Sequence, residues 1–188
     1  MTRPPPRVLL DANVIFPTVM REMLLGVAAR GLFQPRWSAR ITEEWCRAAA
    51  KVGPGAEAQA RGEAALLAVR WPDAEVPDRP GLAHRLWLPD PNDIHVLASA
   101  ISGHCDGIVT ANAKDFPRNV LAEEGLFRAD PDQFLIGFEK ARPEEVADVA
   151  RGVLGEARRL SGEPWTIRAL MRKARLPRLG KALEARLG

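Results

Sequence analysis

The sequence predicts an α/β protein with a mostly parallel sheet covered by helices on both faces, followed by an α-helical C-terminal extension. Short apolar runs alternate with segments of helical periodicity, and this order favours parallel strands joined by helices. From Pro143 onward only helical patterns remain. A length of 188 residues suits one core domain with an appendage, and we expect these parts to span residues 1–140 and 141–188.

The first half of the chain supplies two predicted strands and three predicted helices. The run RVLLDANV predicts a buried strand, and TVMREMLLGVAARG predicts a helix that ends at Gly31. FQPRWS is a candidate for the second strand. Ser38 is a suitable N-cap for a helix over ARITEEWCRAAAKV, and AEAQARGEAALLAVRW predicts another, amphipathic helix. The proline- and acid-rich segment from Pro72 to Gly81 is predicted to be a surface loop.

The second half continues the alternation and then becomes helical. HRLWLPD predicts a brief strand, PNDIHVLASAIS a helix with proline in its first turn, and DGIVTAN a strand with β-branched residues. GLFRADPDQFLIGFEKA predicts a last short strand and a helix that begins after Asp130. The extension contains three predicted helices, over PEEVADVARGVLGEARRL, WTIRALMRKA and PRLGKALEARL.

Composition restricts the classes of function. With 46% hydrophobic and 27% charged residues, the chain is typical of globular proteins. Cys46 and Cys105 lie far apart, and the three histidines are scattered, so two reduced thiols are expected rather than a disulfide or a zinc site. The N-terminal residues show neither a signal peptide nor a membrane span, and the expected location is the cytoplasm.

Charge is distributed unevenly along the chain. Residues 1–150 contain 17 Lys/Arg and 21 Asp/Glu, a net charge of −4, whereas residues 151–188 contain 10 and 3, a net charge of +7. An acidic body that holds cations, with a basic tail that meets phosphate or an acidic partner, would have this pattern. A solvated basic helix face is the alternative interpretation of the tail.

Acidic residues occur where an α/β protein builds its binding site. Asp11 directly follows the first apolar strand, and ligands bind at the C-terminal ends of parallel strands. Glu44 shares a helix face with Ile41, Ala48 and Val52, so it points toward the apolar side and requires a cation or a donor. Alternatively, Asp11 is a turn residue and Glu44 an acid at the edge of a helix.

Two further carboxylates follow in the second half. Asp93 lies on the apolar face of its helix, although Asp90 as N-cap with Asp93 in the first turn could also be a capping arrangement. Asp115 follows the strand GIVT, and Thr110 and Asn112 beside it are neutral oxygen donors that could hold a metal-bound water. An ordinary turn is the alternative for this segment.

Together these acids predict a metal centre. A cluster of carboxylates repels itself unless a hard divalent cation such as Mg²⁺ compensates its charge. Such a cation provides water as a nucleophile and screens the charge of a phosphodiester. The chain has no Gly-rich phosphate loop and no GxSxG motif, which disfavours kinases and serine hydrolases.

The ordered set VLLDANVI, SARITEEW, DPNDIHVLASAI and IVTANAKDFP resembles the PIN-domain ribonucleases, and within them the VapC-type toxins of toxin–antitoxin pairs. The resemblance covers roughly residues 7–140 and implies a parallel sheet of four or five strands between helices. It also implies Mg²⁺ or Mn²⁺ at the strand ends, RNA cleavage by a metal-activated water, and a cognate antitoxin that blocks the site. Members of this family are often homodimers.

The resemblance assigns roles to individual residues. It implies that Asp11, Glu44 and Asp93 are the first three metal-binding and catalytic acids. Many PIN domains have an acid where this chain has Asn112, whereas TANAKDFP matches a variant form in which Asp115 is the fourth acid. Thr110 and Asn112 then position water.

Two other classes of function, and two interpretations of the tail, remain open. Asn112 in place of an acid would suit a non-catalytic RNA-binding or regulatory module, and Asp11 beside Thr110 and Lys114 could be a phosphoryl-transfer nucleophile, although no second Asp follows in DANVI. The tail either contacts RNA or binds a partner or the core through its apolar residues. The candidates for RNA or partner contact are Arg168, Arg172, Lys173 and Arg175.

Overall fold

The computed structural model describes residues 4–187, which form two compact units. The sheet unit contains the described residues up to 16 together with residues 33–129, and the helical unit contains residues 17–32 together with the described residues from 130 onward. These units do not coincide with the expected domains 1–140 and 141–188, because residues 17–32 and 130–140 belong to the helical unit.

The strands are β1 (Arg7–Leu10), β2 (Gln34–Ser38), β3 (Glu75–Val76), β4 (Gly107–Val109) and β5 (Phe127–Ala129). The helices are α1 (Ala12–Ile15), α2 (Thr18–Ala29), α3 (Ala39–Ala50), α4 (Ala56–Arg70), α5 (Pro80–Ala83), α6 (Ile94–Ser102), α7 (Arg118–Glu123), α8 (Pro131–Ala141), α9 (Pro143–Ser161), α10 (Ile167–Lys173) and α11 (Pro177–Leu187). A 3₁₀ turn over Pro91–Asp93 leads directly into α6.

The sheet has five parallel strands in the order β3-β2-β1-β4-β5. The chain runs outward from β1 to β3 on one side and then returns to lay β4 and β5 on the other side. The reversal in strand order therefore lies between β1 and β4, where Leu10 is in register with Val109. A doubly wound sheet binds its ligands beyond the carboxyl ends of the strands at such a point.

Apolar burial accounts for the central position of β1 and β4. Val8, Leu9, Ile108 and Val109 are all 0% exposed, as expected for strands covered on both faces. At Gly107 a Cβ atom would lie 2.5 Å from the Phe127 ring, so this pairing of β4 with β5 has no room for a side chain. The core thus holds the ends of β1 and β4 together and fixes the residues that follow them.

The helical unit is held by buried apolar side chains and by one buried cap. Asp132 is 5% exposed, and its two oxygens accept hydrogen bonds from the backbone N–H groups of Arg178 and Leu179, each at 2.9 Å. These donors belong to the first turn of α11, so a carboxylate of α8 satisfies groups that the helix itself leaves unpaired. The packing within α10 and α11 is close, since a Cβ at Gly180 would lie 2.9 Å from that of Met171.

The predicted α/β fold with a helical extension is confirmed, but four local predictions are wrong. HRLWLPD forms no strand; the outer strand is Glu75–Val76, inside the segment predicted to be a loop. Only Leu88 of HRLWLPD is buried, whereas Val76 reaches the core and Trp37 donates its N–H to Ala74 O at 3.0 Å. The expected amphipathic helix α4 buries only Ala60.

The fourth wrong prediction concerns the apolar face of α3. Val52 was expected on that face but is 70% exposed, because α3 ends at Ala50 and the periodicity stops with it. Cys46 and Cys105 are free cysteines, the first buried and the second partly buried. In the part of the chain that the structure describes, no helix combines the length and apolar character needed to cross a membrane.

Candidate metal centre

Asp11 and Thr110 occupy the point where the strand order reverses. Asp11 follows β1 directly and donates its backbone N–H to Val109 O at 3.1 Å, and Thr110 follows β4. The Thr110 hydroxyl donates to Asp11 Oδ2 at 2.7 Å, and the Asn13 amide donates to the same oxygen at 2.6 Å. Asn13 Oδ1 in turn accepts the N–H of Ala111 at 2.9 Å. The ends of the two central strands are thus joined through one carboxylate.

This carboxylate is buried in the folded protein. Asp11 is 6% exposed, and burial raises its pKa, although the hydrogen bond from Thr110 and the backbone N–H of Ala12 act in the opposite direction. The negative charge of Glu44 raises the pKa further. A buried ionised carboxylate is costly, and the arrangement favours a cation near its free oxygen.

Glu44 projects from α3 and is bound by a residue that the sequence did not single out. Its Oε1 lies 2.9 Å from His95 Nε2 and 3.3 Å from Arg40 Nε. Although burial by itself raises the pKa of Glu44, the hydrogen bond and charge of His95, followed by those of Arg40, lower it overall. Glu44 is therefore held as an ionised carboxylate, whereas the neighbouring Glu43 pairs with Arg47 and Arg61.

His95 is fixed within the sheet unit by its position on α6. Its side chain is 11% exposed, and its Nδ1 is buried with no hydrogen-bond partner among the described residues. The contact with Glu44 is therefore the one polar bond that the described residues offer this imidazole. An unpaired buried nitrogen costs free energy, and an apolar residue at this position would avoid that cost but could not bond to Glu44.

Three aspartates converge beside Asp11. Carboxylate oxygens of Asp90, Asp93 and Asp115 lie within 4.8 Å of one another, and all three residues are partly buried. Burial, together with the charges of Asp11, Asp90 and Asp115, raises the pKa of Asp93 to about 6. Like charges at this spacing are unfavourable unless a proton or a cation is added, and oxygen ligands at this spacing suit a hard divalent ion. The donor set thus fits Mg²⁺ or Mn²⁺.

Asn112 connects the two halves of the cluster. Its amide nitrogen donates to Asp115 Oδ2 at 2.5 Å and lies 3.5 Å from Asp93 Oδ2, while its backbone N–H donates to Thr110 Oγ1 at 3.0 Å. An acid at this position would add a further like charge, whereas the amide supplies a donor between two acceptors.

Arg128 positions the loop that carries Asn112 and Asp115. Its guanidinium donates to the carbonyl oxygens of Ala113 at 2.6 Å and of Phe116 at 2.9 Å. These bonds tie both sides of the loop to β5, whose register against β4 is set by the sheet.

The structure places two of the four predicted acids in one cluster and the other two outside it. Asp93 and Asp115 share one cluster, to which Asp90 must be added; Asp11 and Glu44 are not part of that trio, but Asp11 interacts electrostatically with both Glu44 and Asp93. Asp93 makes no side-chain cap on α6, so the capping interpretation applies to Asp90 alone, whose Oδ1 accepts the N–H of Asn92 at 2.9 Å.

Sequence reasoning missed Asp90, Asn13 and His95 as members of the site. Asp90 gave a signal, but it was interpreted only as a cap, and a cap uses one of its two oxygens. Asn13 lies two positions after Asp11, where an ordinary turn residue is also common. His95 follows Asp93 in the same motif, yet nothing in the sequence places Glu44 beside it.

The comparison with protein families agrees with this site. A family model described as PIN domain matches residues 7–114, which is more than half of the chain. The chain therefore belongs to the PIN-domain family. PIN domains are generally nucleases, so membership supports a hydrolase that acts on nucleic acid. No curated protein and no solved structure matches the chain.

Proposed function

We propose that the protein is a divalent-metal-dependent endoribonuclease, and specifically the toxin of a type II toxin–antitoxin pair of the VapC type. The observation that supports the nuclease most directly is the cluster of Asp90, Asp93 and Asp115 beside Asp11, at the reversal in strand order. The clustered carboxylates repel a phosphodiester, so the cluster needs a cation before a phosphodiester can approach.

In this proposal Asp11, Glu44, Asp93 and Asp115 hold Mg²⁺ or Mn²⁺ and are the catalytic acids. When bound, the cation supplies a water nucleophile and neutralises charge on the phosphodiester. Thr110 and Asn112 orient the carboxylates and position water, because their donors already contact Asp11 and Asp115 at 2.7 and 2.5 Å. Asp90 offers the oxygen that its capping bond leaves free, and His95 is a positioning residue that acts through Glu44.

The toxin assignment rests on the likeness of the four motifs to VapC-type sequences. Under this assignment, a cognate antitoxin covers the site, and the protein acts in the cytoplasm and forms a homodimer. The proposal also keeps residues 1–140 as the nuclease domain and residues 141–188 as the extension.

The test of the nuclease is cleavage of labelled RNA by the full chain. Wild-type protein should cleave in Mg²⁺ or Mn²⁺ and stop in EDTA, and Asp11→Ala or Asp93→Ala should abolish cleavage while circular dichroism shows a retained fold. Full cleavage by the Asp11→Ala protein would refute the assignment. For the toxin, expression of the wild type should arrest growth, and both variants should relieve the arrest.

A non-catalytic RNA-binding module is the second candidate, and Asn112 is the observation that favours it. Its amide occupies an oxygen of Asp115 that a metal ligand would otherwise offer. Under this alternative, calorimetry would detect no Mn²⁺ binding that depends on the acids, whereas the nuclease proposal requires such binding.

A further inference from the structure

The turn between α10 and α11 carries a group of cations without acidic partners. Arg172 and Lys173 end α10, Arg175 lies in the turn, and Arg178 and Lys181 follow in the first half of α11. All five side chains are exposed, and no acid forms an ion pair with any of them within the described residues 4–187. We call these five residues the turn cations.

Several other basic residues of the helical unit are paired with acids. Arg159 pairs with Glu156, Arg151 with Asp148, and Arg168 with Glu184 at 2.7 Å. Arg168 was a candidate contact in the sequence, but its charge is compensated by α11. Apart from Lys140 and Arg158, which also lack an ion pair with an acid among the described residues, the unpaired positive charge of the helical unit lies within a ten-residue segment, from position 172 to position 181.

The backbone at Arg175 adopts a conformation that glycine favours. The N–H of Leu176 donates to Met171 O at 2.8 Å and that of Arg175 to Arg172 O at 3.1 Å, which is the Schellman pattern at the end of a helix. Arg175 therefore holds the left-handed position, with φ 61°, where glycine is the favoured residue. The chain keeps an arginine there at a cost in stability.

The chemistry of the surface distinguishes between two kinds of partner. The apolar residues Ile167, Leu170, Met171, Leu176 and Leu179 are at most 6% exposed, so they pack inside the helical unit. Among the described residues of α10 and α11, none is a large exposed hydrophobic side chain. A protein interface needs an apolar centre, whereas a nucleic-acid interface is polar and strongly positive.

Trp165 contributes in a different way. Lys173 Nζ lies 4.7 Å from the centre of its ring, and its indole N–H donates to Ser161 Oγ at 3.1 Å. The ring thus holds the ammonium of Lys173 in place while leaving its charge unpaired by any acid.

We propose that the turn cations form a binding surface for the phosphate backbone of single-stranded RNA. The surface is separate from the carboxylate cluster in sequence and in chemistry, because it attracts phosphate without needing a metal ion. It deepens the proposed function, on which it rests for the choice of RNA as the polyanion. It also gives the basic extension a role in retaining the substrate.

The experiment measures binding of the full chain to a labelled single-stranded RNA in EDTA, so that no cleavage is needed. Arg172→Gln/Arg175→Gln is compared with Arg151→Gln/Arg159→Gln, which removes the same charge from paired arginines. Each phosphate contact on a single strand adds about 0.7 to the salt slope, so the first double variant should lower the slope by about 1.4 and weaken binding about 25-fold at 0.1 M salt. The second double variant should have little effect.

Arg175→Gly provides a test in a variant that we expect to be more stable than the wild type. Glycine relieves the left-handed position, so the Tm should rise while the affinity for RNA falls. A higher Tm with unchanged RNA affinity would show that Arg175 is no contact and would overturn its assignment. If both double variants weaken RNA binding equally, or neither weakens it, the proposed RNA-binding surface is wrong.

Binding of poly-glutamate separates an acidic protein partner from RNA. If Arg172→Gln/Arg175→Gln loses poly-glutamate but binds RNA as the wild type does, the surface belongs to an acidic protein and the RNA proposal is wrong. If the wild type binds RNA at the turn cations but neither it nor any variant cleaves RNA in Mg²⁺ or Mn²⁺, the nuclease proposal is wrong and the binding surface is still supported.

Discussion

Replacing Asp93 with asparagine should stabilise the metal-free protein. The pKa of Asp93 is raised from 3.8 to about 6 by burial and by Asp11, Asp90 and Asp115. Its ionised form is therefore unfavourable in the folded state, by roughly 3 kcal/mol before allowance for solvent. Since Asp93 is only partly buried, screening reduces the penalty to about 1–2 kcal/mol. The Asp93→Asn variant removes this penalty.

The sign of the effect depends on pH. The unfolded carboxyl ionises near 3.8, before the folded one near 6, so the wild type loses stability as pH rises through this interval and stays penalised above it. In EDTA at pH 8, the Tm of Asp93→Asn should exceed that of the wild type by about 3–6 °C. Below about pH 3 the difference should be small, because Asp93 is then largely protonated in both states.

Thermal unfolding followed by circular dichroism measures this difference, and Asp78→Asn is the matched control, since Asp78 is exposed. Adding Mn²⁺ at pH 8 should raise the Tm of the wild type and leave that of Asp93→Asn nearly unchanged. A variant that is less stable than the wild type at pH 8, or a gain that does not depend on pH, would refute the electrostatic account of the cluster.

Three further predictions concern other contacts. His95→Phe should weaken Mn²⁺ binding about 10- to 100-fold by calorimetry, and His95→Gln should weaken it less. In a Glu44→Gln background, His95→Phe should have little further effect on Mn²⁺ binding. An undiminished effect in that background would mean that His95 acts independently of Glu44. Asp115→Asn should impair Mn²⁺ binding more than Asn112→Ala, and the reverse order would show that the fourth ligand is misplaced. Asp132→Ala should cost about 2–3 kcal/mol in urea unfolding, since it leaves one buried and one partly buried N–H group unpaired. A loss under about 0.5 kcal/mol would contradict that role.

The sequence predicted those features that depend on neighbouring residues along the chain. Asp11 and Thr110 end apolar strands, and a run of buried residues is visible as a pattern, so their place at the sheet edge followed from the alternation of strands and helices. Ser38 was recognised as an N-cap from its residue type, and its hydroxyl accepts the N–H of Ile41 at 3.3 Å.

Features that depend on distant pairing were not predictable. The strand Glu75–Val76 has only two residues and exists because β2 offers it a partner, so it has no periodicity of its own. The contact between His95 and Glu44 joins two helices that lie far apart in the sequence. Neither residue type nor spacing distinguishes His95 from an ordinary buried histidine, and only the packing of α3 and α6 in the sheet unit brings the pair together.

The most direct test of the metal centre is a calorimetric titration of Mn²⁺ into the metal-free full chain at pH 8. We predict that the wild type and Glu43→Gln, whose carboxylate pairs with arginines, bind Mn²⁺ alike. Asp11→Asn should lose at least about 100-fold in affinity, because even residues that only orient metal ligands contribute 10- to 100-fold. Equal Mn²⁺ affinity in the wild type and Asp11→Asn would contradict a metal centre at the reversal in strand order.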